Sequence, residues 1–109
     1  MIVYISGPIS GTDDYMKRFR RAEDRLRAMG HKPVNPAWIH QPFNGTDAGH
    51  DEYIESCKRI MAHCDAIYLM RNWQKSLGAI EELREAQSLG LWIATEEGAA
   101  KLDAPSSKP

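Results

Sequence analysis

The chain has 109 residues, enough for one domain that buries roughly two-thirds of its unfolded surface. With 42% hydrophobic and 27% charged residues and a net charge of −1, it has a soluble protein's balance. That balance argues against a nucleic-acid polymer or a basic membrane-binding surface as partner, although a local pocket can still take a small anion. No apolar run approaches the ~18 residues that cross a bilayer. The opening "MIVYISGPIS" lacks the charged start of a signal peptide and reads as a strand.

"IVYIS" (Ile2–Ser6) is a short β-branched apolar run ending in Gly7-Pro8, which predicts a buried first strand. A helix follows, capped by Thr12 or Asp13, with Tyr15, Phe19, Ala22, Leu26 and Met29 at helical spacing and Gly30 as its stop. "HKPVNP" (31–36) predicts a short second strand broken by prolines. Residues 37–49 carry an Asn-Gly turn and no periodicity, which predicts a long loop of the kind that forms lids and binding loops. A second helix is predicted from about Asp51 to His63, with Tyr53, Ile54, Cys57, Ile60, Met61 and Cys64 inward. "AIYLM" (66–70) is the third strand, Leu77–Leu89 the third helix and "LWIAT" (91–95) the fourth strand. A final helical turn over "EEGAAKL" and a polar tail at 104–109 complete a domain placed at 1–103.

Cys57 and Cys64 sit seven residues apart on one predicted helix, about 10 Å along its axis, too far for a disulfide. Reduced thiols point to the cytoplasm. The alternation of apolar strands with helices predicts an α/β fold: a single-domain, flavodoxin/Rossmann-like three-layer sandwich on a parallel sheet of four to five strands. Such sheets bind ligands beyond the carboxyl ends of their strands. That edge gathers 6–11, the 37–49 loop, the 71–77 connection and the start of the third helix.

On the third helix Ala79, Leu83 and Ala86 define a buried stripe, and Glu82 falls on or beside it, whereas Glu81 and Glu85 point away. A buried carboxylate is costly unless hydrogen-bonded, and a helix N-terminus favours its charge. Two readings stay open for Glu82: an edge residue reaching water, or a nucleophile or base in a cleft. "SGPISG" (Ser6, Gly7, Pro8, Ile9, Ser10, Gly11) is a strand-to-helix turn whose backbone N–H groups suit a phosphate or ribose, though it is neither a dinucleotide fingerprint nor a P-loop. Trp38, Phe43 and Trp73 lie in predicted loops at the same edge, where a ring anchors the loop or stacks on a base. His31, His40, His50, His63 and the cysteines match no metal-ligand spacing, so neither a metal nor a cofactor is expected.

Several of these pieces form one ordered set. "YISGPISG" (4–11), "NPA" (35–37), "CDAIYLM" followed by "NW", and "SLGAIEELREAQSLG" (76–90) resemble the nucleoside 2-deoxyribosyltransferase-like superfamily over about residues 2–93. The likeness is nearest to its small phage and bacterial members and to the 2'-deoxynucleoside 5'-monophosphate N-hydrolases. The family's catalytic glutamate stands four residues after the helix glycine, which from Gly78 is Glu82. The resemblance implies that Glu82 attacks the anomeric carbon of a (deoxy)nucleoside or its 5'-monophosphate, with Tyr4 orienting the carboxylate. Transfer to a second base or to water then resolves the glycosyl ester. It also implies substrate contacts from Trp73, Ser76 and Gly78, a small-molecule nucleoside or nucleotide as partner, and a homodimer or larger assembly.

Ser76 stands where the monophosphate hydrolases carry a phosphate-contacting serine, which tilts the implied activity towards hydrolysis of a phosphorylated nucleoside. One departure accompanies it. The second-helix aspartate of those hydrolases corresponds to Cys57, seven residues before Cys64, and a thiol does not replace a carboxylic acid as proton donor to the leaving base. Glu55 and Asp51 are the nearby carboxyl alternatives. The rival function is a non-catalytic nucleotide-binding or sensing module of the same fold.

Overall fold

The computed structural model describes residues 1–9, 14–36 and 47–98, with backbone only over 47–53. Four strands, β1 (Ile2–Ser6), β2 (Lys32–Val34), β3 (Ala66–Leu69) and β4 (Trp92–Thr95), alternate with three helices, α1 (Tyr15–Ala28), α2 (Asp47–Met61) and α3 (Leu77–Leu89). The sheet is parallel throughout in the order β2-β1-β3-β4. This is the flavodoxin-type order, in which the chain steps one way from β1 to β2 and the other way from β2 to β3 and β4. Right-handed crossovers therefore place α1 on one face and α2 with α3 on the other. α2 packs on α3, and α1 packs on β1 and β2. Among the described residues no helix is long and apolar enough to cross a membrane.

Burial on both faces explains why β1 and β3 read as continuous apolar runs. Val3 to Ser6 and Ala66 to Leu69 are all buried. The register pairs Tyr4 with Ile67 and Ser6 with Leu69, which puts these four side chains on the α2/α3 face. Ile5 pairs with Tyr68 on the α1 face, above Phe19, Ala22 and Leu26 of α1.

Both α1 and α3 end in left-handed glycines, Gly30 at φ 89° and Gly90 at φ 72°. His31 N–H returns to Leu26 O at 3.0 Å, and Leu91 N–H to Ala86 O at 3.0 Å. Each helix thereby satisfies its last carbonyls and turns directly into the next strand.

Several boundaries differ from expectation. α2 starts at Asp47 rather than Asp51 and ends at Met61, so Cys64 lies beyond the helix, its thiol donating to Ile60 O at 3.5 Å. β2 shrinks to Lys32–Val34, because prolines at 33 and 36 remove ladder donors. β3 stops at Leu69 and β4 starts at Trp92. The N-cap of α1 is Asp14, without a side-chain capping bond, and Thr12 and Asp13 lie outside the described residues. So do the core of the expected loop (37–46, with Trp38, His40 and Phe43), the end of the expected last turn and the tail.

Beyond β1, Met70 N–H donates to Ser6 O at 2.8 Å, bringing the two strand ends together. A Cβ on Gly7 would lie 2.8 Å from Met70 Cβ, so this glycine is required by the approach of β3. At Gly78 a Cβ would meet nothing nearer than 3.9 Å. Gly7→Ala is therefore expected to destabilise the fold by about 1–3 kcal/mol in urea denaturation. Gly78→Ala should be neutral or stabilising by up to about 1 kcal/mol. Equal stability of Gly7→Ala and wild type would refute the packing role.

Candidate active site

α3 begins where Asn72, in the left-handed region at φ 70°, turns the chain after β3. Asparagine tolerates that conformation better than most residues other than glycine. A short 3-10 turn, Trp73–Lys75, follows, with Trp73 half-buried against the core. Ser76 then caps α3, its Oγ accepting from Ala79 N–H at 3.2 Å. The expected phosphate contact at Ser76 is thus also the helix cap, with its hydroxyl hydrogen still available to another acceptor.

This start sets the phase of the helix so that Ala79, Glu82 and Ala86 face inward. Glu82 is only 4% exposed, while Leu83, expected in the buried stripe, is half-buried. The edge reading of Glu82 is overturned: its carboxylate lies within the α2/α3 layer. Ser6 Oγ donates to Oε1 at 2.6 Å, and the Tyr4 hydroxyl donates to Oε2. The third hydrogen-bond partner is the side chain of Cys57, itself fully buried on α2. No lysine, arginine or histidine pairs with Glu82 among the described residues.

Burial pushes the pKa of Glu82 up, and the charge of Glu81 acts in the same direction. The hydrogen bonds from Ser6, Tyr4 and Cys57 oppose them without cancelling the rise. The group is thus a carboxyl fixed at both oxygens and harder to ionise than an exposed glutamate. Such a group supplies a directed nucleophile or a general base once ionised.

The sequence-level candidates divide. Tyr4, Ser6 and Glu82 come together, and Cys57 joins them. Ser6, expected in the glycine turn, instead turns its side chain onto Glu82, because residues two apart on a strand share a face and Tyr4 and Ser6 both lie on the α2/α3 side. Gly7 serves strand packing, Pro8 is half-buried and Ile9 is buried. Ser10 and Gly11 lie outside the described residues. Glu55 is exposed beside Lys58 at 3.9 Å, so it does not supply the missing α2 carboxyl, and the side chain of Asp51 is outside the described residues. Asn35 of "NPA" is tied to Glu23 on α1 at 3.0 Å. Among the described residues no three His, Cys, Asp or Glu side chains are grouped to hold a metal ion.

Residues 1–95 match the family model described as Domain of unknown function (DUF4406). No curated protein matches the chain. Among solved structures the chain is similar to one reported in the characterisation of a 2-deoxyribosyltransferase from the psychrotolerant bacterium Bacillus psychrosaccharolyticus. The two share 18% identity, over 87% of this chain and 71% of that one, with a TM-score of 0.66. The similarity is one of fold, and it matches the three-layer architecture described above.

The raised pKa of Glu82 has a consequence for stability. Its folded value lies above the ordinary value of 4.5, so protonation favours the fold. That contribution is complete below about pH 4.5 and is lost as the pH rises through the folded value. Glu82→Gln, neutral and isosteric, should remove the dependence. Urea denaturation from pH 4 to 8 is expected to show wild type losing stability relative to this variant as pH rises. Parallel curves would show that Glu82 titrates normally.

Proposed function

The chain belongs to the DUF4406 family, a domain whose description assigns no activity, and we propose that it is an N-glycosidic bond enzyme acting on (deoxy)nucleosides or their 5'-monophosphates. The observation that carries this proposal is the buried Glu82 carboxyl, held at one oxygen by Tyr4 and at the other by Ser6. It lies on the α2/α3 face behind the β1/β3 switch point, where sheets of this order bind ligands. The fold similarity to a 2-deoxyribosyltransferase supports the substrate class.

In this mechanism an ionised Glu82 oxygen attacks C1' as the C1'–N bond breaks, and the bonding pair leaves with the base. Tyr4 and Ser6 fix the direction of attack and stabilise the carboxylate again when the ester is resolved. Water as the resolving nucleophile gives hydrolysis; a second base gives transfer. Ser76, at the start of α3, is the phosphate-side candidate, and Trp73 the candidate neighbour of the sugar or base. Cys57 holds Glu82 rather than protonating the base, so the preferred substrate is one whose base departs with little acid assistance. The absence of a 2'-hydroxyl assists in the same way, because the oxocarbenium-like transition state is then easier to reach.

A non-catalytic nucleotide-binding module is the second reading, favoured by the thiol at Cys57 where related hydrolases carry a carboxylic acid. Incubation with a panel of nucleosides and 5'-monophosphates, with and without acceptor base, separates the two by chromatography of released base. Glu82→Gln should lower release by about a thousandfold or more while the protein stays folded. Ligand-induced thermal stabilisation with no base released by wild type would favour the binding module.

The pH profile gives a second test. Activity should rise with pH as Glu82 ionises. Tyr4→Phe and Ser6→Ala each remove a donor that stabilises the carboxylate, so each should move the acidic limb to higher pH. A limb that stays in place, or moves down, would remove Glu82 from the role of ionised nucleophile.

A further inference from the structure

The face of the sheet opposite Glu82 carries a separate concentration of charge. Of the chain's 14 lysines and arginines, six lie in α1 (Lys17, Arg18, Arg20, Arg21, Arg25 and Arg27), against two acids, Glu23 and Asp24. Six minus two leaves this one helix at +4 in a chain of net charge −1. Arg27 is engaged with Glu23 at 3.0 Å. Arg18, Arg21 and Arg25, three and then four residues apart, share another face of the helix.

Together with Arg71, Tyr68 and Glu96, these three arginines line a cavity of about 270 Å³. Its floor is the α1 side of β3, since Tyr68 pairs with Ile5 there while Tyr4 and Ser6 point to the other side. The cavity therefore shares no lining side chain with the Glu82 site. Arg18 Nη2 donates to Arg71 O at 3.3 Å, which fixes one guanidinium, and the Arg25 charge lies close enough to the Tyr68 hydroxyl to oppose its pKa rise. Arg71 is held by Glu97 at 3.3 Å and Glu96 at 3.7 Å. Arg21 has no ion pair among the described residues.

Four guanidiniums against two carboxylates leave a concave site with two uncompensated positive charges. Planar guanidinium forks match the oxygens of phosphate, and phenol and guanidinium alike offer hydrogens to an anion. Burial raises the pKa of Tyr68, which keeps its hydroxyl a neutral donor. We propose that this pocket, framed by Arg18, Arg21, Arg25, Arg71 and Tyr68, binds the dianionic phosphate group of a small phosphorylated molecule. The volume admits a phosphate with a pentose attached, and the charge of a phosphate monoester balances the two-unit excess. This site is independent of the proposed glycosidic activity.

Calorimetry at low salt with inorganic phosphate, ribose 5-phosphate, a nucleoside 5'-monophosphate and the matching nucleoside tests the proposal, using the full chain. Inorganic phosphate and ribose 5-phosphate, which carry no base for the Glu82 site, are expected to bind wild type, and nucleoside binding should be the same in the arginine variants as in wild type. Arg21→Ala and Arg18→Ala should each weaken phosphate binding by about tenfold. Tighter binding of the esters than of inorganic phosphate would identify a phosphorylated metabolite as the ligand, and equal binding would identify phosphate itself. No phosphate binding, or unchanged phosphate affinity in both arginine variants, would overturn the assignment. So would arginine variants that only dissociate an assembly of this chain in sedimentation, since a second copy would then cover the pocket.

Discussion

A carboxyl group buried in a small domain is the constraint around which the rest of the structure is arranged. Glu82 is tolerated because β1 presents two hydroxyls from alternate positions, Tyr4 and Ser6, one to each of its oxygens. Uncompensated, such burial would cost several kcal/mol and drive the group to stay neutral. The compensation works only if three elements hold their phase. β1 must keep Tyr4 and Ser6 on the α2/α3 face, α3 must start at Ser76, and β3 must come close enough to complete the sheet between them. Gly7 permits the last of these and the Ser76 cap fixes the second. Loss of any one would leave the carboxyl buried without its donors.

Cys57 completes the same cluster, and its chemistry differs from that of a carboxylic acid. A thiol is a weak donor and small hydrophobe: it fills the space on α2 and supplies a soft hydrogen bond without adding a second charge beside Glu82. An aspartate there would place two carboxylates in one buried site and raise the pKa of at least one of them. With cysteine, the Glu82 carboxyl has its charge opposed chiefly by burial and, to a smaller degree, by Glu81. Cys64, by contrast, lies outside any such cluster. Burial, reinforced by Asp65, pushes its thiol up to about 11, so it remains an inert space-filler.

Local chemistry decided how much of this was legible beforehand. The strands at Ile2–Ser6 and near 66–70 stood out because both faces are buried and the residues are β-branched or aromatic. The ends of α1 and α3 stood out because Gly30 and Gly90 are the only inexpensive left-handed stops there. Glu82 was singled out by helical spacing, but spacing alone left its depth undecided, since a glutamate at the edge of a stripe reaches water as easily as it is buried. Only the placement of Tyr4 and Ser6 opposite α3, a long-range outcome of parallel pairing, settles it. The start of α2 was hidden because Asp47, Ala48 and Gly49 carry no apolar stripe, and a helix entered through polar residues has no periodic signature.

The charge distribution was hidden for a different reason. A net charge near zero argues against a nucleic-acid or membrane surface and leaves a local anion pocket open without placing it, because it is a sum over a strongly basic α1 and acids spread along the rest of the chain. The parallel sheet keeps these regions apart. On its α2/α3 face Glu82 sits among hydroxyl and thiol donors, and its α1 face holds guanidiniums in excess of carboxylates. A phosphate attracted to the arginine face meets no carboxylate of the Glu82 cluster, and an ionised Glu82 is not neutralised by a nearby arginine. A salt bridge to Glu82 would lower its pKa and favour its ionised form. Hydroxyl donors hold both oxygens without adding a charge, and with the arginines on the far face the carboxyl has no cationic partner among the described residues.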